Sequence, residues 1–167
     1  MLENISPEKS LPEESAQLTS TTHPSVEISL VPSSEIENIW DKVSHMLKRS
    51  TDLSRGRYRL RDLKAKLVSG EFNLWIVFQM GGPDQGKILA AITSSFMDYP
   101  QGKMLSGQFL GGDRLEEWRD KFCAVFDRWA KDTGCKAIEF TGRAGWGKVL
   151  AGNGYKEAFR IYQRDLD

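Results

Sequence analysis

Apolar and polar residues alternate through Val26–Val31 (VEISLV), the period-two pattern of a half-buried strand. Pro32-Ser33-Ser34 breaks the pattern, and Ser34 is suited to capping a helix. Ile36, Ile39, Trp40, Val43 and Leu47 then recur at helical spacing, which predicts an amphipathic helix with His45 off its apolar stripe. Leu60, Leu63 and Leu67 predict a shorter helix ending at Gly70. Three strand-like runs follow, Phe72–Met80, Lys87–Met97 and Lys103–Leu110. The turns between them, GGPDQG and YPQG, are of hairpin length, so the three strands are expected to be antiparallel neighbours. Leu115, Trp118, Phe122, Phe126 and Trp129 mark one face of a long helix that stops at Thr133-Gly134. Cys135–Gly142 predicts a fifth strand, able to run parallel to the strand before that helix. Trp146–Gly154 predicts a short helix, and Tyr155–Leu166 a sixth and last strand. The predicted class is α/β (α+β), a mixed six-stranded sheet in the order β-α-α-β-β-β-α-β-α-β.

Met1 to about Pro24 shows no such period and is rich in Ser, Thr, Glu and Pro. Residues 1–24 are expected to form an acidic tail, either disordered or ordered by a partner, ahead of one domain over 25–167. A chain of 167 residues can bury a sizeable core. Lys plus Arg and Asp plus Glu number 23 each, so no global field points to nucleic acid or to a membrane surface. No apolar run reaches the ~20 residues of a membrane span, and the polar start lacks the features of a signal peptide. Cys123, Cys135, His23 and His45 show no ligand spacing, so reduced thiols and no metal site are expected. Arg55–Lys66 is the densest charge cluster, six basic residues around Asp62. Arg55, Arg57, Arg59, Arg61 and Lys64 are therefore candidate contacts for a phosphate or an acidic partner. One aromatic, Tyr58, among them is a poor signature of a nucleic-acid binder, and none is expected.

The stretch QFLGGDRL (Gln108–Leu115) joins the third run of the meander to the long helix, a place where a backbone can hold an anion. Together with the element order from Val26 onward, and with RAGWGKVLAGNGYKEAFRIYQRDL (Arg143–Leu166) as the closing helix and strand, it resembles the GCN5-related N-acetyltransferase (GNAT) superfamily. The phrases Asp98–Lys103 (DYPQGK), Gly134-Cys135 and Gly142–Trp146 (GRAGW) are similar to small GNAT-like proteins of tailed bacteriophages.

The resemblance implies a pyrophosphate loop of the form Gln/Arg-x-x-Gly-x-Gly/Ala, whose N–H groups would bind acetyl-CoA. Gln108 and Gly111 match it, and Gly112, Arg114 and Arg143 would be further contacts if acetyl-CoA binds. The last position is Asp113, a carboxylate where the phosphates would lie. Asp113 also suits an N-cap, with Glu116 completing a capping box. The position implied for a proton-donating Tyr holds Leu150, and that implied for an assisting Asn holds Arg143. Glu139, the acid within the fifth strand, is the candidate general base.

Two expectations follow. One is a GNAT-like bacteriophage protein with a degenerate acetyl-CoA site and no cofactor. It would act by contact with other phage or host proteins or as a homo-oligomer, in the host cytoplasm or the virion, and its assembly would bury Trp40, Trp75 and Trp146. The alternative is an acetyl-CoA-dependent N-acetyltransferase acting on an amine of a protein or small molecule.

Overall fold

A computed structural model describes residues 23–166. The tail expected over 1–24 lies outside the described residues, apart from His23 and Pro24. The elements are β1 (Ser25–Val31), α1 (Ile36–Asp52), α2 (Leu60–Val68), β2 (Asn73–Met80), β3 (Ile88–Tyr99), β4 (Gly102–Gly112), α3 (Leu115–Asp132), β5 (Ala137–Phe140) and α4 (Trp146–Leu150). Single 3-10 turns precede α1 and follow α4.

Among the described residues the strands form one open sheet in the order β1-β2-β3-β4-β5. The first four are antiparallel neighbours, and β5 joins β4 in parallel after the α3 crossover. The sheet has an apolar layer on each side. On one side α1 and α2 lay Ile36, Val43, Leu47, Leu63 and Leu67 on Val31, Leu74, Ala91 and Phe109. On the other, α3 lays Trp118, Phe122, Phe126 and Ala130 on Trp75, Val77, Ile92 and Leu105. Period two in the strands and period 3.6 in the helices aim these sets at each other. Each buried Leu or Phe contributes about 1.5–3 kcal/mol.

Two irregularities shape the end of β4. Ile92 pairs with Leu110, but Ser94 pairs with Gly107, so β4 carries one extra residue opposite Thr93. This bulge is held by the Phe109 N–H, which donates to Thr93 Oγ1 (3.1 Å), and by Gln108 Nε2, which donates to Ser95 Oγ (2.7 Å). Beyond it β4 is pressed from both sides. A Cβ at Gly111 would lie 1.8 Å from the Met46 carbonyl oxygen of α1, and one at Gly112 (φ +145°) would lie 2.3 Å from the Leu89 carbonyl oxygen of β3. These glycines are required by close backbone approach.

Three expectations need correction. The sheet has five strands, not six: Tyr155–Leu166 forms no strand, and its backbone makes no ladder bonds with β5 among the described residues. Asp113 does not cap α3. The strand continues to Gly112, the Asp113 N–H is used by the Leu89 carbonyl (2.8 Å), and Arg114 becomes the N-cap in a left-handed conformation (φ 58°) with no side-chain cap bond. The capping box with Glu116 therefore does not form. Trp75 is not held for a partner, since it is 3% exposed inside the α3-side core, where its indole N–H donates to Ser94 Oγ (3.0 Å).

Candidate functional site

β4 and β5 stay paired only from Met104↔Ala137 to Gly107↔Phe140. The Thr141 N–H still donates to the Gly107 carbonyl (3.3 Å), then the chain turns toward α4. β4 runs on to Gly112 paired with β3 alone, so its outer edge is open from Gln108 onward. The two strands thus part like a wedge.

The wedge encloses a slot lined by Gly107, Gln108 and Leu110 of β4, Trp118, Arg119 and Phe122 of α3, and Phe140 of β5, with Trp146 and Leu150 of α4 and Ser50 of α1 closing it. Its cavity is about 70 Å³, room for a few waters. It is narrow because the Phe140 ring lies over Gly107, where an added Cβ would come within 2.1 Å of it. Phe140 is held there by stacking on Phe126 (centroids 5.7 Å) and by an edge contact with Tyr155 (5.2 Å). The Leu110 N–H, on the open edge, reaches Ser50 Oγ at 3.4 Å.

At the head of the slot stands the start of α3. Its 18 residues carry a positive N-terminal dipole, and no side chain caps its first N–H groups. Arg114 is engaged elsewhere: its guanidinium donates to both carboxylate oxygens of Glu117 (2.8 and 2.5 Å) and to Gln79 Oε1 (3.1 Å). The hydrogen bond from Arg114 holds the Glu117 carboxyl below its usual range. Arg119, one turn further, lines the slot and donates to Asp120 Oδ1 (2.9 Å). On the slot wall Cys123 is 4% exposed, and burial pushes its thiol up to about 11. The Tyr155 hydroxyl is buried without a partner among the described residues, and burial raises its pKa too, so it stays a neutral phenol.

Glu139 projects to the other side of the sheet. Ile138 and Phe140 pack toward α3, so strand alternation turns Glu139 to the α1 face. There it accepts a long hydrogen bond from the Tyr99 hydroxyl (3.5 Å) beside its ladder partner Ser106. Of the other predicted residues, Gln108 lines the slot, and Gly111 and Gly112 lie on β4 beyond it. Arg143 is exposed on the loop before α4, where its carbonyl accepts the Trp146 N–H (2.9 Å).

The basic group does not act as one patch. Lys64 donates to Glu37 (2.6 Å), and Lys66 pairs with Glu71. Arg61 lies 3.7 Å from Asp62. Arg55, Arg57 and Arg59 are exposed on the α1–α2 connection and have no ion pair among the described residues. That connection is anchored near the slot by Tyr58, whose ring meets Phe109 of β4 (5.3 Å).

Solved acetyltransferases share this architecture at low sequence identity. An aminoglycoside N-acetyltransferase in complex with CoA is 16% identical over 85% of this chain and 95% of its own, with a TM-score of 0.61. Glucosamine-6-phosphate N-acetyltransferase from Arabidopsis thaliana is 11% identical over 86% and 99% of the two chains (TM-score 0.59). A GNAT family acetyltransferase from Staphylococcus aureus is 16% identical over 85% and 99% (TM-score 0.56). The fold is that of the GNAT acetyltransferases. No family model matches the sequence, and no curated protein matches it.

Within the GNAT fold, the slot adds residues that sequence reasoning missed. Ser50, Trp118 and Arg119 sit on helical patterns that give no hint of a site, and only the packing of α1 and α3 around β4 brings them there. The Leu110 N–H on the outer edge of β4, met by Ser50 Oγ, is a backbone feature without any signal in residue type.

Proposed function

We propose that this protein is an acetyl-CoA-dependent N-acetyltransferase acting on an amine of a protein or a small molecule. One observation carries the reading: a GNAT fold whose β4 and β5 part at an uncapped α3 start, leaving a free β4 edge. The residues at the head of the slot fit the cofactor's pyrophosphate, and its arm would enter once the Phe140 ring swings off Gly107. The first N–H groups of α3 suit a pyrophosphate, Arg119 adds a cation one turn on, and the open edge around Leu110 offers backbone partners to an extended amide arm. When bound, acetyl-CoA supplies an acetyl group activated as a thioester.

Glu139, on the α1 side of the sheet beside the Tyr99 hydroxyl, takes up the proton of an acceptor ammonium. Leu150 is 8% exposed in the slot wall, so α4 brings no side-chain proton donor there. Titration calorimetry with acetyl-CoA, followed by thiol release over a panel of amines, tests the proposal. One-site binding with turnover supports it, and no binding at millimolar ligand removes it. Glu139→Gln is expected to leave acetyl-CoA affinity unchanged and to lower kcat by roughly 100-fold or more.

A second reading is a non-catalytic protein-binding module of a bacteriophage, virion-associated or in the host cytoplasm. It is favoured by Phe140, which fills the wedge over Gly107 and leaves the slot too small for a pantetheine arm unless the ring moves. Absence of acetyl-CoA binding together with a stable complex with a phage or host protein would select it.

A further inference from the structure

The apolar layer under α1 and α2 takes nothing from β4 before Phe109. Toward the start of that strand the same face of the sheet turns polar. Ser95 of β3, Ser106 of β4 and Glu139 of β5 form one row, paired Ser95↔Ser106 and Ser106↔Glu139. Their neighbours Phe96, Leu105 and Phe140 belong to the α3-side core, so alternation turns the row to the α1 face. Ser95 and Ser106 are only 4% and 3% exposed. Ser95 Oγ accepts from Gln108, whereas the Ser106 hydroxyl makes no hydrogen bond among the described residues. A buried hydroxyl without a protein partner calls for a polar group from outside. The row is open to solvent past Glu139, where Tyr99 is 44% exposed.

α1 carries a second feature to this place. Its Met46 carbonyl lies against Gly111 and its Ser50 hydroxyl on the Leu110 N–H, so the helix descends along β4. One further turn, about 6 Å on, brings the chain to the connection that begins at Ser54. There Ser54 Oγ accepts the Tyr58 N–H (3.0 Å) and donates to the Tyr58 carbonyl (3.1 Å), and the Tyr58 ring rests on Phe109. This clasp holds Arg55, Arg57 and Arg59 out as exposed side chains. No acid lies between Asp52 and Asp62. Those two are engaged, Asp52 by Lys48 (2.6 Å) and Asp62 by the Arg59 N–H (2.8 Å) and by Arg61. The three arginines are therefore uncompensated cations at one end of a polar floor whose other end is a carboxylate.

We propose that the acceptor is an anionic amine, whose ammonium sits over Ser106 and Glu139 while a carboxylate or phosphate of the same molecule is held by Arg55, Arg57 and Arg59. This rests on the acetyltransferase reading and specifies its substrate class. The two ends of the site have opposite signs, as a zwitterion requires, and guanidinium groups match planar and tetrahedral oxyanions alike. Three residues of strand, about 10 Å, separate Phe109 under Tyr58 from Ser106. That spacing fits a small amino acid or amino phosphate, or a lysine with an acidic neighbour in a peptide.

The test combines an amide-resolved NMR titration of the full-length protein with thiol release at saturating acetyl-CoA. The probes are phosphoethanolamine and γ-aminobutyrate against ethanolamine, and a lysine peptide flanked by aspartates against one flanked by asparagines. The anionic probes are expected to shift the amides of 54–59 and 106–108 and to raise kcat/KM at least tenfold over their neutral counterparts, through KM. Which of them responds separates phosphate from carboxylate. The preference is expected to shrink with salt and to fall at least tenfold in Arg55→Gln/Arg57→Gln/Arg59→Gln, with partial rescue by the corresponding Lys variant, which keeps the charge. Equal use of neutral and anionic amines, a preference that survives the Gln variant, or shifts confined to the start of α3 overturns the proposal. So does failure of every probe to bind or react while acetyl-CoA binds. Each of these outcomes leaves the cofactor reading standing, whereas absence of acetyl-CoA binding removes both.

Discussion

Gly111 shows how a single residue sets the distance between two layers. Its missing Cβ lets the Met46 carbonyl of α1 approach β4, and this contact also brings Ser50 to the Leu110 N–H. Gly111→Ala is expected to destabilise the fold by about 1–3 kcal/mol, because neither backbone can yield without a shift of α1. Urea unfolding followed by fluorescence measures it, and a change within a few tenths of a kcal/mol would contradict the close approach. Cys123 supplies a second expectation at this scale. Its folded pKa of about 11 lies above the ordinary thiol value, so the unfolded chain loses this proton first as pH rises. The contribution to stability is complete below the unfolded pKa of the thiol and is lost progressively from about pH 9 to pH 11, by roughly 2 kcal/mol. Cys123→Ala is expected to flatten that alkaline decline relative to the parent. Identical pH slopes for the two proteins would show that the thiol is not desolvated.

At the scale of the element, the start of α3 determines what the GGD turn can do. A carboxylate cap would have satisfied the first N–H groups and excluded an anion. With β4 running through Gly112, the cap position falls to Arg114 instead, and its side chain turns to Glu117 and Gln79. The helix start is left uncapped, with the exposed Asp113 beside it as a repulsive charge. Asp113→Asn is accordingly expected to strengthen acetyl-CoA binding severalfold, with the gain shrinking as salt is raised. Calorimetry at two ionic strengths decides this, and weaker binding by the variant would mean that Asp113 supports the ligand. The same reasoning separates the basic connection from its neighbours. Lys64 and Lys66 are spent on Glu37 and Glu71, which leaves Arg55, Arg57 and Arg59 as the cations available to an acidic acceptor.

For the whole molecule, one sheet separates two apolar layers, and each layer is closed by its own helices. Leu67 and Phe126 are fully buried on opposite sides of it. Leu67→Ala and Phe126→Ala are each expected to cost about 2–5 kcal/mol through lost burial and the cavity left behind. Sitting in separate clusters, the two effects should add to within about 0.5 kcal/mol in the double variant. Both should shift one cooperative transition, since neither layer exists without the sheet. Two resolved unfolding steps would show that the layers are independent units.

The helices and the meander were legible in the sequence because each is a local matter of period and punctuation. Ile36 to Leu47 and Leu115 to Trp129 carry their buried stripes in plain view, and GGPDQG and YPQG sit at the two reversals. What the sequence could not determine depends on contacts between distant segments. The β4 bulge, the end of pairing at Gly107 and the αL turn at Arg114 arise where β3, α1 and β5 compete for one strand, and no local pattern records the winner. Tyr155–Leu166 is the clearest case. Its residues determine that it is able to pair as a strand, while pairing itself depends on the tertiary structure, which leaves it unmade among the described residues.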